Sequence, residues 1–115
     1  MINIVSSSRY LINRRSLTKH IETLMQKHSL SLQKTLNVVF VGRIKMKQIA
    51  NTYKHENVAL PVLAFPYHEQ EGEQLIGEIV ICYPQAVLLA AERNKTVEDM
   101  LVWLMDHAIK NLLKG

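Results

Sequence analysis

One histidine in the last third of the chain has a side chain that can ligate a metal ion. His107 lies in the segment DHAIKN, and Asn111 follows it four residues later, on the same face of a helix. Two imidazoles at this spacing are a ready pair of zinc ligands, but here the second residue is Asn111, a neutral amide and a poor ligand, and a catalytic zinc ion usually needs three protein ligands. The alternative is that His107 packs beside Trp103, which lies one helical turn earlier. Other candidate ligands are spread along the chain: His55, His68, Glu78 and Asp106.

A second group of residues that can do chemistry is basic. Arg43 and Lys47 are four residues apart, and Lys47 and Lys54 are seven apart, so each pair shares a face of the predicted helix. Such a strip can attract a phosphate backbone, and we therefore predict that Arg43, Lys47 and Lys54 bind RNA. The strip is equally compatible with an ordinary solvated face. No aromatic base-stacking surface is evident, and Tyr53 and Tyr67 are the nearest candidates.

The composition predicts one globular domain. The 115 residues are 48% hydrophobic and 21% charged, which is typical of a folded domain. No apolar run approaches the roughly 20 residues needed to cross a bilayer. The single cysteine, Cys82, excludes an internal disulfide framework, and its apolar neighbours predict a buried, unreactive thiol in a reducing, intracellular location. The net charge of +4 favours an anionic partner such as RNA, although solvated surface lysines explain it nearly as well.

The amino terminus has two interpretations. The residues before Glu22 are basic, contain serine and lack acids, which is also typical of an organelle transit peptide. Ile2, Ile4 and Val5 instead favour a strand that belongs to the fold, and we adopt this structural interpretation.

Hydrophobic periodicity predicts eight elements in the order β-α-β-α-β-β-α-α. The strand at 36–41 is apolar almost throughout, so we expect it to be buried on both faces. Pro61 cannot donate to a strand ladder, which predicts an edge strand or a bulged strand there. The result is an α+β domain over residues 1–115, with a small four-stranded mixed sheet and about four helices. The predicted strands span 2–6, 36–41, 58–66 and 77–82, and the helices span 14–28, the residues after Gly42, 84–91 and the residues after a Thr96 cap.

Three stretches, taken in order, resemble the bacterial YbeY family of rRNA maturation factors. VVFVGRIKMKQIANTYK, at 38–54, is similar to the family's strand, short turn and helix ending in an Asn-x-x-Tyr-Arg-like sequence. VLAFP, at 62–66, resembles the family's Val-Leu-Ser-Phe-Pro, and GEIVIC, at 77–82, resembles its Gly-Asp-Ile-Val-Ile strand. The order and spacing match over roughly residues 36–114, which implies a YbeY-like fold.

The resemblance implies a zinc-dependent endoribonuclease that cuts single-stranded RNA during rRNA processing or ribosome assembly. Its implied partners are ribosomal RNA and a small-subunit ribosomal protein, and its implied location is the cytoplasm. Against the family signature His-Gly-x-x-His-x-x-Gly-x-Asp-His, His107 stands at the first metal-ligand position and Asn111 at the second, a degenerate position, while the third falls beyond Gly115. Lys54 stands where the family has an arginine implied to contact the RNA phosphate, which makes Lys54 the candidate catalytic residue.

These departures predict that zinc binds weakly or not at all and that hydrolysis is weak or lost. One alternative is a non-catalytic module that binds RNA or a ribosomal protein, and another is an interaction scaffold without RNA affinity. A gene truncated just before the third ligand is a separate possibility, although it would not account for Asn111. The sequence does not indicate an oligomeric state.

Overall fold

The computed structural model describes residues 1–67 and 75–114. Its elements are β1 (Ile2–Val5), α1 (Arg14–Lys27), β2 (Thr35–Val41), α2 (Arg43–Lys54), β3 (Val62–Pro66), β4 (Leu75–Cys82), α3 (Tyr83–Glu92) and α4 (Val97–Lys114). The strands form one sheet in the order β1-β2-β4-β3. The β1–β2 and β2–β4 pairs are parallel and the β3–β4 pair is antiparallel. The predicted mixed sheet of four strands, the four helices and their order along the chain are confirmed.

The two faces of the sheet are covered unequally. Successive side chains of a strand point to opposite faces, and the larger core lies on the face covered by α1, α3 and α4. On the other face, α2 covers a smaller core in which Met46 packs with Leu63 and Val80. The prediction that β2 is buried on both faces is wrong, because its residues alternate between buried and half-buried. Helix α2 shields only part of the second face, where Val5 stays 57% exposed.

Strand β3 lies at the edge of the sheet, as the proline in this segment predicted. The strand begins at Val62, directly after Pro61, and is shorter than the extended segment expected at 58–66. The carbonyl of Pro61 accepts the backbone N–H of Cys82 at 3.0 Å, so the proline joins the end of the ladder without needing a donor of its own. The thiol of Cys82 is buried, and this burial raises its pKa, as expected for an unreactive cysteine.

Helix α4 carries the residues predicted for metal binding and is held from three sides. Its buried stripe packs against the sheet, and the helix contacts α1, α3 and β3. The predicted cap at Thr96 is confirmed, because the N–H of Asp99 donates to Thr96 Oγ1 at 3.0 Å. The buried residues of α4 are Met100, Leu101, Leu104, Met105, Ala108, Ile109 and Leu112.

None of the helices within the two described ranges is long and apolar enough to span a bilayer.

Candidate functional site

A pocket of about 290 Å³ lies between the end of α2, the edge strand β3 and the last turns of α4. Lys54 lines it from α2, and Asn111 and Ala108 line it from α4. Strand β3 supplies a largely apolar wall: Val62, Leu63, Ala64 and Pro66. The fold therefore brings together two of the predicted site residues, Lys54 and Asn111, which are far apart in the sequence.

Lys54 occupies the last position of α2. The helix ends there because His55 adopts a left-handed conformation (φ 56°, ψ 31°) and its N–H donates to the carbonyl of Ala50. A cation at this end of a helix is favoured by the partial negative charge of the last carbonyls. The side chain of Lys54 is exposed, and it forms no salt bridge with any residue of the described ranges. Its ammonium group is available to an anion in the pocket.

His107 is exposed, one helical turn before Asn111 on the same face of α4. Its ring is parallel to that of Trp103, with an interplanar angle of 9° and 5.6 Å between ring centroids. The guanidinium carbon of Arg93 lies 5.0 Å from the centroid of Trp103, within the range of a cation–π contact. The contact with Trp103, which was the alternative to a metal role, is therefore present. The metal role of His107 stays a prediction.

The described residues do not by themselves provide a zinc site. Across residues 1–67 and 75–114, no three His, Cys, Asp or Glu side chains are grouped closely enough to hold a metal ion. Glu78 pairs with Phe65 in the sheet and lines a different pocket on the face covered by α2. His55 caps α2, and His68 lies outside the described residues. A catalytic zinc ion usually needs three protein ligands, and the described residues do not fit that requirement.

Asp106, also considered as a ligand, faces away from the pocket and joins α4 to α1. Its Oδ1 lies 2.8 Å from His28 Nε2, in a hydrogen bond that links the two helices. Lys27 and Lys110 place their Nζ atoms 3.6 Å and 3.5 Å from Oδ2. The hydrogen bond from His28 is the main cause that lowers the pKa of Asp106, and both lysines act in the same direction against the opposing effect of burial. This carboxylate therefore has a structural role.

The basic residues of α2 lie along the helix rather than at one point. Arg43 is its first residue, and its Nε donates to Gln85 Oε1 at 3.1 Å. Arg43 lines a separate pocket at the start of α2, which Arg9 also lines. Lys47 is exposed one turn later, and Lys54 is about 16 Å from Arg43 along the helix axis. Lys54 is thus the member of the strip that reaches the pocket with Asn111, and the RNA-binding roles of all three stay predictions.

A larger pocket, of about 580 Å³, lies on the opposite face of β3 and β4 under the outer edge of α2. It brings Tyr53 and Tyr67 together with Phe65, a grouping that the sequence did not reveal. The available signal was the alternation of residues along β3, which places Phe65 and Tyr67 on one face. Its lining residues are Lys45, Gln48, Ile49, Thr52, Tyr53, Phe65, Tyr67, Glu78 and Val80.

Comparison with known proteins agrees with this geometry. Residues 3–113 match the family described as Endoribonuclease YbeY. The chain is 36% identical over 80 residues to Endoribonuclease YbeY of Thermodesulfovibrio yellowstonii, covering 68% of this chain and 50% of that relative. It is 32% identical over 101 residues to that of Sulfurimonas denitrificans, covering 88% of this chain and 72% of that relative.

A Thermotoga maritima protein whose structure was solved in solution has a similar fold. The two structures agree with a TM-score of 0.67 at 25% identity, covering 97% of this chain and 71% of the other. The chain spans half the length of the Thermodesulfovibrio relative. The family match, the sequence relatives and the shared fold lead to one conclusion, which the three stretches had predicted: this chain belongs to the YbeY family of endoribonucleases.

Proposed function

We propose that this domain binds single-stranded RNA in the course of rRNA maturation, with Lys54 holding a backbone phosphate in the pocket between α2, β3 and α4. The proposal rests on the observation that Lys54 and Asn111 line the same pocket. A family whose members are named endoribonucleases makes RNA the expected ligand, and the net charge of +4 is compatible with a polyanion.

The chemistry of the pocket suits a phosphate. The ammonium group of Lys54 can pair with a phosphate oxygen, and the apolar wall formed by β3 lowers the local dielectric constant and so strengthens that attraction. The side-chain amide of Asn111 can donate a hydrogen bond to a phosphate or to a ribose oxygen. A lysine provides a single point charge, whereas an arginine would provide a planar fork. We therefore expect attraction to the RNA backbone without a fixed bidentate geometry.

The rest of the basic strip extends this contact. Lys47 is exposed between the two ends of α2, so an RNA strand held at Lys54 can also approach it. Each phosphate contact contributes about 0.7 to the slope of log affinity against log salt for a single strand. Arg43 already bonds to Gln85, so we expect it to contribute less than Lys54.

Hydrolysis is a separate matter from binding. Zinc-dependent cleavage needs an ion held by about three ligands, and the described residues do not form such a group. We therefore propose that RNA binding does not depend on a metal and that cleavage by this chain is weak or absent. The second candidate, favoured by the family match, is a metal-dependent endoribonuclease whose further ligands come from outside the described residues.

Fluorescence anisotropy with a labelled single-stranded RNA separates these functions. We expect binding that weakens with salt and is unchanged by a chelator. In Lys54→Ala the affinity should fall, and the slope of log affinity against log salt should become shallower by about 0.7. Lys19→Ala, which removes an exposed lysine of α1, is the matched control and should bind as the wild type does.

Three results would contradict the proposal. Equal affinities for Lys54→Ala and wild type would exclude the phosphate contact. Stoichiometric zinc by elemental analysis, with RNA cleavage that a chelator abolishes, would favour the metal-dependent enzyme. An absence of RNA binding even at low salt would favour a domain that binds a protein partner, such as a ribosomal protein.

A further inference from the structure

We propose that the 580 Å³ pocket on the face of the sheet covered by α2 is a binding site for one unpaired nucleobase. This inference rests on the proposed function, because the base would belong to the RNA strand whose phosphate is held at Lys54. The pocket volume lies within the range of small-ligand sites, about 300–1,000 Å³.

Aromatic side chains that are only partly covered by the rest of the protein line this base pocket. Tyr53 and Phe65 meet edge to face, with 5.0 Å between centroids and 65° between planes. Tyr53 is 66% exposed and Tyr67 is 52% exposed, so both rings keep surface that a ligand can cover. The backbone N–H of Tyr67 donates to the carbonyl of Ile76 at 3.0 Å, which fixes this residue beside β4. The pocket therefore has aromatic surfaces on positioned backbone, as the stacking of a base requires.

Polar side chains around the same pocket can bond to the edge of a base. Lys45 and Gln48 line it from α2, and Glu78 lines it from β4. Within residues 1–67 and 75–114, these three side chains have no hydrogen-bonding partner. Lysine donates, a carboxylate accepts and an amide does both, so the pocket offers both kinds of partner to a heterocycle. An entirely apolar ligand would leave these groups unused.

The described lining of the base pocket carries one cation, Lys45, and one carboxylate, Glu78, so it offers no excess positive charge to a phosphate. Glu78 is half-buried on β4, and a carboxylate there repels an anion while it accepts from a ring N–H or an amino group. Lys54, by contrast, lines its own pocket, where none of the lining residues from 1–67 and 75–114 is a carboxylate. We therefore expect a bound RNA strand to place its backbone at Lys54 and one of its bases beside Glu78.

The two pockets are close enough to serve one strand. Tyr53 and Lys54 are consecutive at the end of α2, and each lines one of the pockets. Alternate residues of β3 do the same, because Phe65 lines the base pocket while Ala64 and Pro66 line the other. In the part of the chain that the structure describes, no further strand pairs with the outer side of β3, so an RNA can cross there from one face to the other.

The test compares two RNAs of equal length and charge, one of which carries abasic nucleotides in place of its central bases. Wild-type protein should bind the intact RNA more tightly. Tyr53→Ala should weaken binding of the intact RNA by about five- to a hundredfold, which is the usual range for loss of one base stack, and should leave abasic RNA unaffected. Tyr53→Phe keeps the ring and should restore binding, and Leu88→Ala, an exposed apolar residue of α3, should behave as wild type.

Circular dichroism checks that each variant is folded, and Tyr67→Ala, directly after β3, provides a second probe away from α2. Equal affinity of wild type for intact and abasic RNA would overturn the base pocket, and so would an equal loss for both RNAs in Tyr53→Ala. If either of these results is found and Lys54→Ala still weakens RNA binding, the proposed function stands without the base pocket. If neither RNA binds at low salt, the proposed function fails together with this inference.

Discussion

One added methyl group at Gly77 should destabilise the fold at the place where β3, β4 and α4 meet. A Cβ at this position would lie 2.7 Å from the carbonyl oxygen of Phe65 and 2.9 Å from Cδ2 of Leu112. It would also lie 3.3 Å from the Cα of Pro66. Two of these three neighbours are backbone atoms of β3, so the contacts cannot be relieved by rotating a side chain. Gly77→Ala must push β3 or α4 outwards.

The magnitude follows from two opposing effects. Overpacking of a well-filled core costs about 1–3 kcal/mol. The loss of conformational entropy in the unfolded chain returns about 0.4–1 kcal/mol when glycine becomes alanine at a permitted conformation, and Gly77 lies within a regular strand. The net loss is therefore about 1–2 kcal/mol, which lowers the Tm of a domain of this size by about 4–8 °C.

Thermal and urea unfolding followed by circular dichroism measure this loss. Gly42→Ala is the matched control, because the one atom of the described residues that a Cβ there would meet is the hydroxyl oxygen of Tyr10, at 3.2 Å. We expect it to cost about 0.5–1 kcal/mol and less than Gly77→Ala, since the end of the Tyr10 side chain can move and the remaining cost is that of alanine replacing glycine at the N-cap of α2. A Gly77→Ala protein as stable as wild type, or no less stable than Gly42→Ala, would refute the reasoning.

Three further predictions follow from single contacts. The pKa of Asp106 is lowered from 3.8 in the folded protein. The carboxylate therefore stabilises the fold fully above pH 3.8, and this stabilisation is lost as the pH falls through the lower folded-state pKa. Acid unfolding of Asp106→Asn should depend less steeply on pH than that of the wild type. Thr96→Ala removes the acceptor of the Asp99 N–H and should cost about 1 kcal/mol in urea unfolding. Asn111→His creates a second imidazole four residues from His107, and equilibrium dialysis should show tighter zinc binding than in wild type, whereas unchanged affinity would exclude a metal role for this face.

The sequence was sufficient for the elements of the fold because those depend on local chemistry. The predicted helix boundaries were correct to within a residue or two, since the apolar stripe of α1 and the cap at Thr96 are properties of neighbouring residues. The edge position of β3 was one of the two alternatives that Pro61 predicted, the other being a bulge, because proline lacks a donor whatever the rest of the chain does. The order of eight elements then limited the fold to a small mixed sheet with helices packed against it.

The contacts between distant elements were not predictable from those patterns. An apolar run such as residues 36–41 does not reveal how far a helix extends over the second face, so the burial of β2 was overestimated. His28 and Asp106 belong to helices at opposite ends of the chain, and no local signal pairs them. The contact between the rings of Tyr53 and Phe65 depends on the angle at which α2 crosses the sheet. Register and crossing geometry decide such contacts, and neither is written in composition or periodicity.

The pocket at Lys54 is shaped by packing rather than by the residues that would bind a ligand. Leu112 is buried against Gly77, and this contact sets the rotation of α4, since each residue turns the helix by about 100°. Asn111 faces the pocket because its neighbour faces the core, and the same would hold for any side chain at position 111. A cleft of this kind keeps its form when a ligand position changes identity, so the proposed RNA binding does not require that the domain hold a metal. If Gly77→Ala displaces α4, Lys54 and Asn111 should separate, and RNA affinity should fall even under conditions where the variant remains folded.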